Sequence, residues 1–589
     1  MIDFFAGALF KTPPNIPFGP GVEVCQDCRG ALLVEKTRTK KAVTLAIGAF
    51  KAHETVLECK VCKKIYVSEE LQKLIPPLCN IGYDVLVYVG KSMFLQCRNA
   101  KEITDDLKHK NVFLSKKGIA YLAKKFIVYL AMAHRESSEK IKSLLSKRGG
   151  YILHLDATCE GDSPHLMTGL DEITEIVLEN VKLSSEKAEK IIPLLRNIKK
   201  RYGDPLIVVH DMGKGITNAA EEVFPDSPDR ICHYHFLADL GDDLFGKENA
   251  KIRGRLSKHG IQGKLRNRVR EFRKIIDDNP DLVESLVNSL KEQSIRNLLQ
   301  PNLMPAAAAY TLALWALAGK KQGGGYGFPF DRAYLNFYQR LKTIYLKLKE
   351  LNDIEFGNRK DNKPYVKILR DLIDTMDDSV LRRTAEQMKE KITVFDKLRS
   401  AMRIALPDGK RGLNDNGEDT DIHIIEKGVK DFRKWLSDNE ELSKKEDYKK
   451  MLAQIEEYWD KLFSDPIVVD TPHGKITIQP QRTNNIIEQL FREVKRGFRK
   501  KSGMKSLSKI LKGMLADTPF IKNLGNPEYV KIILDGKSCL EERFAEIDAK
   551  IVRHELLKMI NDSVKIPPQI KKLIKMPEFP NTLVAAFTS

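Results

Sequence analysis

Ile152-Leu-His-Leu-Asp156 and Leu206-Ile-Val-Val-His-Asp211 are short apolar runs that each end in an acid, with a helix-patterned stretch near Ser185 to Arg201 between them. Runs this short and this continuously apolar suit strands buried on both faces. Their alternation with a helix predicts a layered α/β fold. A carboxylate at the C-terminal end of such a strand sits where an α/β sheet opens to ligand. Two of them on neighbouring strands can converge on one divalent cation, which prefers oxygen donors. Any one such aspartate more often starts a turn or caps the next helix, and it is the pair of matching strand–Asp units that points to a site.

A third acid has a different setting. In Arg482-Thr-Asn-Asn-Ile-Ile-Glu488-Gln-Leu-Phe-Arg492-Glu-Val-Lys495-Arg-Gly-Phe-Arg499, the residues Glu488, Arg492, Lys495 and Arg499 fall on one helical face. Ile487, Leu490 and Phe491 lie toward the other side, available for packing. One carboxylate heading a stripe of cations suits a site that holds a metal and grips phosphates. The alternative is a solvated amphipathic helix with an ordinary Glu488–Arg492 ion pair.

Cysteine spacing defines the N-terminal segment. Cys25-Gln-Asp-Cys28 and Cys59-Lys-Val-Cys62 supply four thiols in two C-x2-C pairs, the donor set of a tetrahedral structural Zn2+. The β-branched, alternating run from Lys41 to Leu57 predicts strands, and a hairpin there would bring the two pairs together. Further on, Ala100–Leu107 and Ser115–Ala131 read as two helices joined by a turn from His109 to Leu114, a helix-turn-helix-like arrangement. From about Gly246 to Phe463 the patterning is helical, interrupted by Gly323-Gly-Gly-Tyr-Gly327 and by a polar loop near Asp408 to Asp421. The glycine run lacks the Lys-Ser/Thr ending of a phosphate loop and reads as a hinge or turn. Trp315, in a helix apolar throughout, is expected in the core.

Charge points to a polyanion. The chain of 589 residues carries 99 Lys and Arg against 80 Asp and Glu, a net charge of +19. The surplus is concentrated: Lys251 to Lys274 holds ten basic residues and one acid, Glu271. Arg266, Arg268 and Arg270 from this run are candidate phosphate contacts. The longest apolar stretch, Ala306 to Gly319, is shorter than the roughly 18–20 residues a bilayer requires. Met1 to Lys11 has no basic region before its apolar residues, which argues against a signal peptide. A cytoplasmic, nucleoid-associated protein is expected.

The segments His154-Leu-Asp156-Ala-Thr158, Val208-Val-His-Asp211, Cys232-His-Tyr-His235-Phe and Thr483-Asn-Asn-Ile-Ile-Glu488-Gln-Leu-Phe-Arg492 resemble those of DDE transposases, most of all those of Mutator-like elements and related bacterial insertion sequences. The resemblance implies an RNase H-like catalytic domain in which Asp156, Asp211 and Glu488 hold two Mg2+ or Mn2+ ions. It also implies hydrolysis of double-stranded DNA at element ends, followed by attack of the released 3′-OH on target DNA. Cys232 and His235 match the family's C-x2-H motif; they either ligate a further metal or pack and hydrogen-bond near the active site. Arg492, Lys495 and Arg499 become candidate DNA contacts, and a homodimer or higher assembly on DNA is expected by analogy. The resulting division is a zinc-ribbon-like module (1–75), a helical DNA-binding region (76–150), a first RNase H-like part (151–245), an all-helical insertion (246–470), a second RNase H-like part with the glutamate helix (471–525), and a tail (526–589). The long span between Asp211 and Glu488 requires that insertion to be large. A non-catalytic DNA-binding descendant of such an element, or a host nuclease of the same fold, are the rival functions.

Overall fold

The computed structural model describes residues 12–292, 302–351, 363–406, 422–561 and 568–588. Met1–Lys11 and the polar loop from Asp408 to Asp421 lie outside the described residues. The chain forms two compact units. One comprises Met1–Asp229, Pro466–Pro480 and Asn484–Ser589; the other comprises Arg230–Asp465 and Gln481–Thr483.

In the first unit the N-terminal strands are β1 (Asn15–Phe18), β2 (Leu32–Thr44), β3 (Gly48–Cys59) and β4 (Ile65–Tyr66). β2 and β3 make the predicted hairpin, running antiparallel from Leu32 opposite Cys59 to Thr44 opposite Gly48. Phe50, Ala52 and Val56 alternate inward on β3, and Phe18, Ala42, Leu71 and Ile75 cover Phe50 and Ala52. The two predicted helices form as Ala100–His109 and Lys116–Glu136. Asn99 and Glu102 close a capping box on the first, and Ser115 caps the second by accepting from the Gly118 amide.

The central sheet has five strands in the order β7-β6-β5-β8-β9, built from β5 (Ile152–Thr158), β6 (His165–Asp171), β7 (Val177–Leu183), β8 (Ile207–His210) and β9 (Asp229–Ile231). β5, β6 and β7 form an antiparallel meander, whereas β8 runs parallel to β5. The parallel crossover carries the helix Ala188–Tyr202, as the β–α–β texture predicts. Gly169 on β6 admits that helix closely: a Cβ there would lie 2.8 Å from the Ile198 side chain. Leu166 on the opposite face packs on Ile510, Leu511 and Met514 of the C-terminal segment.

The helices between residues 83 and 147 are not a separate appendage. Leu86, Phe126, Leu130 and Ile141 belong to one buried core with Leu153, Leu155 and Met167 of the sheet and Phe520, Tyr529 and Phe544 of the C-terminal helices. At its centre His134 bonds through Nδ1 to the Tyr529 hydroxyl and through Nε2 to the Leu178 carbonyl and the Tyr202 hydroxyl, each at 3.0 Å. Its ring stacks on Phe520 with centroids 4.2 Å apart. Burial pushes its pKa down to about 3, so this hub is neutral.

Beyond the end of β9, the described residues of the second unit are helical and irregular. The helix His233–Lys258 bends at Phe245, whose ring meets Phe328 and Phe395 edge-on. The glycine run is a turn, held by the Asp331 carboxylate accepting from the amides of Gly324 at 2.9 Å and Gly327 at 3.0 Å. Trp315 departs from expectation. It is 41% exposed, with the Arg340 guanidinium 4.7 Å from its ring centroid. The helix Met304–Ala318 buries its alanines (Ala306, Ala309, Ala313 and Ala316) instead, because small residues permit close helix packing and push the large ring outward.

Gly90 provides a test of the first unit's packing. It lies inside the helix Tyr83–Phe94, where propensity alone favours alanine by about 1 kcal/mol. A Cβ there would sit 2.1 Å from the Phe126 ring. Gly90→Ala should therefore destabilise by about 1–3 kcal/mol, read as a lower denaturation midpoint. An unchanged or raised midpoint would show that the helix–helix contact yields.

Candidate functional site

Asp156 is the fifth residue of β5, and Asp211 is the first residue past β8. The parallel register pairs Leu155 with His210, so the two aspartates occupy the next position on neighbouring strands. Asp156 is buried, with Oδ1 accepting from the Ala157 amide at 2.7 Å. Asp211 is half-buried and accepts from the Gly213 amide at 3.1 Å, opening the turn into the helix Lys214–Val223. The turn-capping geometry considered for such acids is thus present in part, alongside their adjacency.

Glu488 lies in the first turn of the helix Asn485–Ser502. The N-terminus of that helix is fixed to β5 by one side chain. Asn484, fully buried, accepts from His154 Nδ1 at 2.8 Å and donates through Nδ2 to the Leu155 carbonyl, also at 2.8 Å. An asparagine at this position ordinarily caps its own helix. Here its side chain makes no cap bond and reaches the strand beside Asp156 instead. His154 shares the Asp156 face, two residues away, and its other nitrogen pairs with Glu172 at 2.9 Å. The described residues offer the half-buried Glu488 carboxylate no hydrogen bond or ion pair. The envisaged partner Arg492 turns to Asn485 Oδ1 at 2.7 Å. Arg492, Lys495 and Arg499 are all exposed along one side of this helix. The three carboxylates do not form a set in which every pair of ligand atoms lies within 4.8 Å.

His210 is buried behind Asp211, its ring bonded to the Asp211 carbonyl and the Asp229 carboxylate. Burial alone would lower its pKa, but the Asp229 hydrogen bond and charge, with help from Asp211, hold it above the usual value. The role of Asn484 was missed, although its place four residues before Glu488 was a usable signal.

The four predicted zinc ligands come together. Cys25, Cys28, Cys59 and Cys62 place their sulfurs within 4.8 Å of one another, and this cluster could hold a structural zinc. The two C-x2-C turns match: Cys25 accepts from the Arg29 amide and Cys59 from the Lys63 amide, and Arg29 and Lys63 both take positive φ. A hydrogen bond from the Tyr66 hydroxyl is the main cause lowering the Cys25 thiol to about 6, favouring the thiolate that metal binding requires.

Other predicted contacts divide. On the helix Ile261–Asp278, Arg266 and Arg270 are exposed. Arg268 instead turns inward to Asp371 at 2.7 Å and Glu271 at 2.8 Å. In the helix-turn-helix-like pair, Lys116, Lys117 and Tyr121 are exposed, but Phe126 to Ala131 are buried. The exposed residues of that helix are concentrated in its first turns, with Glu136 exposed at its far end. Cys232 is the buried N-cap of the helix His233–Lys258, and neither it nor His235 belongs to a group of three potential ligands among the described residues. His233 between them is fully buried, bonded to the Leu462 carbonyl, with its pKa driven down to about 3 by burial. Among the described residues, no helix is long and apolar enough to cross a membrane.

No protein-family model and no curated protein matches this chain.

The Asn-Asn pair supplies its own control. Asn484→Ala would leave buried His154 Nδ1 and the Leu155 carbonyl without their partner and should cost about 1–3 kcal/mol. Asn485→Ala loses only an exposed contact to Arg492 and should change stability by less than about 0.5 kcal/mol. Equal denaturation midpoints for the two variants would refute the staple.

Proposed function

We propose that this chain is a DNA transposase of the DDE class, with Asp156, Asp211 and Glu488 as its metal-binding acids in an RNase H-like domain. One observation carries the proposal: two aspartates at adjacent positions of parallel strands β5 and β8, with the glutamate helix pinned to β5 at the residues preceding Asp156. The order β7-β6-β5-β8-β9, an antiparallel meander extended by a parallel strand with helices on both faces, is compatible with an RNase H-like domain. Three carboxylates are a hard-oxygen donor set suited to Mg2+ or Mn2+. Two such ions would supply Lewis-acid stabilisation of the attacking and leaving oxygens.

The chain's own contribution is position and charge. Asp156 sits on a strand buried on both faces, so its carboxylate moves little during turnover. His210 fixes the Asp211 backbone from behind. Arg492, Lys495 and Arg499 extend from Glu488 along one exposed face, where they would neutralise successive phosphates of a bound duplex. Element ends and target DNA are the partners this assignment requires, and pairing of two ends calls for at least a dimer.

Replacement of Asp156, Asp211 or Glu488 by Ala should abolish cleavage of end-containing DNA, with little further loss when they are combined. DNA binding should persist, since affinity resides in the Lys and Arg. Normal cleavage by Glu488→Ala would remove that residue from the site. Cleavage without a strand-transfer product in the unaltered protein would favour the host-nuclease function.

The exposed arginines test the electrostatic half. Arg266→Ala with Arg270→Ala should weaken binding to all sequences alike and make log K against log[salt] shallower by about two, at roughly 0.9 per lost phosphate contact. Arg268→Ala should act on stability instead, by stranding Asp371. An unchanged slope for the Arg266/Arg270 pair would make that face a solvated one.

A further inference from the structure

We infer that Cys159, His165 and Glu186 form a second transition-metal site, of the zinc class, at the rim of the central sheet. Their ligand atoms all lie within 4.8 Å of one another, and His165 Nδ1 is 2.6 Å from Glu186 Oε1. One thiol, one imidazole and one carboxylate make a mixed soft and hard set. Zn2+ accepts that set with a fourth position left for water, whereas Mg2+ and Ca2+ call for oxygen donors throughout.

The three donors arrive from separate segments that the fold has already fixed. Thr158 and Leu166 are the last register pair between β5 and β6, so Cys159 and His165 face each other at the next position. The intervening turn is tied down on its other side. Glu160 accepts from the Ser508 amide at 2.7 Å and the Ser506 hydroxyl at 3.0 Å, and Lys512 donates to Asp162 at 2.6 Å. His165 also pairs in register with Leu183, which brings the end of β7 and the following Glu186 alongside. Glu186 is braced in turn by the first turn of the helix Lys214–Val223: a Cβ on Gly215 would lie 1.8 Å from the Glu186 carbonyl, so only glycine permits that approach. A metal-binding triad on anchored segments loses little entropy when the ion binds.

Occupation of the site would cross-link the exit of β5, the entry of β6 and the connection to the helix Ala188–Tyr202. Cys159 lies three residues beyond Asp156, and Gly215 four beyond Asp211, so the brace would steady both acid-bearing segments. The metal site itself does not depend on the transposase assignment.

The test is zinc content of the full chain after exhaustive dialysis, followed by Co2+ substitution and its thiolate-to-cobalt absorption. Two equivalents of zinc are expected for the unaltered protein, and one for Cys159→Ser or His165→Gln. Cys25→Ser with Cys59→Ser should retain one equivalent, with a single-thiolate cobalt band that vanishes when Cys159→Ser is added. Cys159 is exposed, so its serine variant should fold; thermal unfolding of the metal-free proteins checks this, and His165→Gln in the otherwise intact chain gives an independent reading. One equivalent in the unaltered protein, undiminished by Cys159→Ser, would overturn the inference, as would a cobalt spectrum indifferent to either substitution. Cleavage activity plays no part in these readouts, so the inference and the transposase proposal can fail separately.

Discussion

The placement of Glu488 at the acidic site rests on the Asn484 side chain. It joins two parts of the chain 330 residues apart, accepting from His154 and donating to the main chain of β5. A helix terminus normally satisfies its own free amides with the capping side chain. Diverting that side chain to the strand weakens the local cap, and the loss is offset because two buried polar groups on β5 gain partners. The outcome is geometric. The first turn of the helix, and with it Glu488, is set against the strand that carries Asp156. Ile487 and Leu490, both buried, keep the helix from rolling. An amphipathic helix held only by its apolar stripe could rotate by a fraction of a turn, enough to move a carboxylate out of a metal's reach.

The same logic explains why the first unit reaches so far along the sequence. A five-stranded sheet buried on both faces needs cover on each side. The chain supplies it from Ala188–Tyr202 on one face and from segments after residue 484 on the other. The N-terminal helices add a third source, locked in by His134 and by Arg135. The latter pairs with Glu179 at 3.3 Å and with Asp517 at 2.8 Å. Charges buried this deeply are costly unless each meets its partner. Loss of any one member would therefore be felt in the N-terminal helices, the sheet and the C-terminal segment together.

Much of this was legible in the sequence. Asp156 and Asp211 could be placed because an uninterrupted apolar run has few conformational options, and both strands form where predicted. The Cys25, Cys28, Cys59 and Cys62 cluster was readable because chemistry restricts doubled C-x2-C spacing to few uses. What escaped depends on long-range packing. Trp315 was expected inside because its helix is apolar all round. Such a helix has no pattern to say which side faces in, and its alanines won the interior. Arg268 resembled its neighbours Arg266 and Arg270, yet Asp371 and Glu271 claim it. The sheet contacts of the N-terminal helices were hidden likewise: their apolar faces show that they pack, but not on what.

These differences sharpen the division of labour between acids and bases. The acids sit on or beside the rigid sheet: Asp156 is buried, and Asp211 is backed by the His210–Asp229 pair. The exposed cations, Arg492, Lys495, Arg499, Arg266 and Arg270, stand on helix surfaces, at the ends of long side chains with several rotatable bonds. A polyanion lacks fixed shape at the scale of one phosphate, so such cations can follow it, while carboxylates that must hold a metal cannot move far without losing it. On the proposed function, the sheet would confine the reaction to one place, and the exposed cations would widen the range of DNA sequences the protein can hold. A protein that must accept unrelated target sequences at a single fixed site needs both properties, and a binder with no chemistry to perform would need only the second.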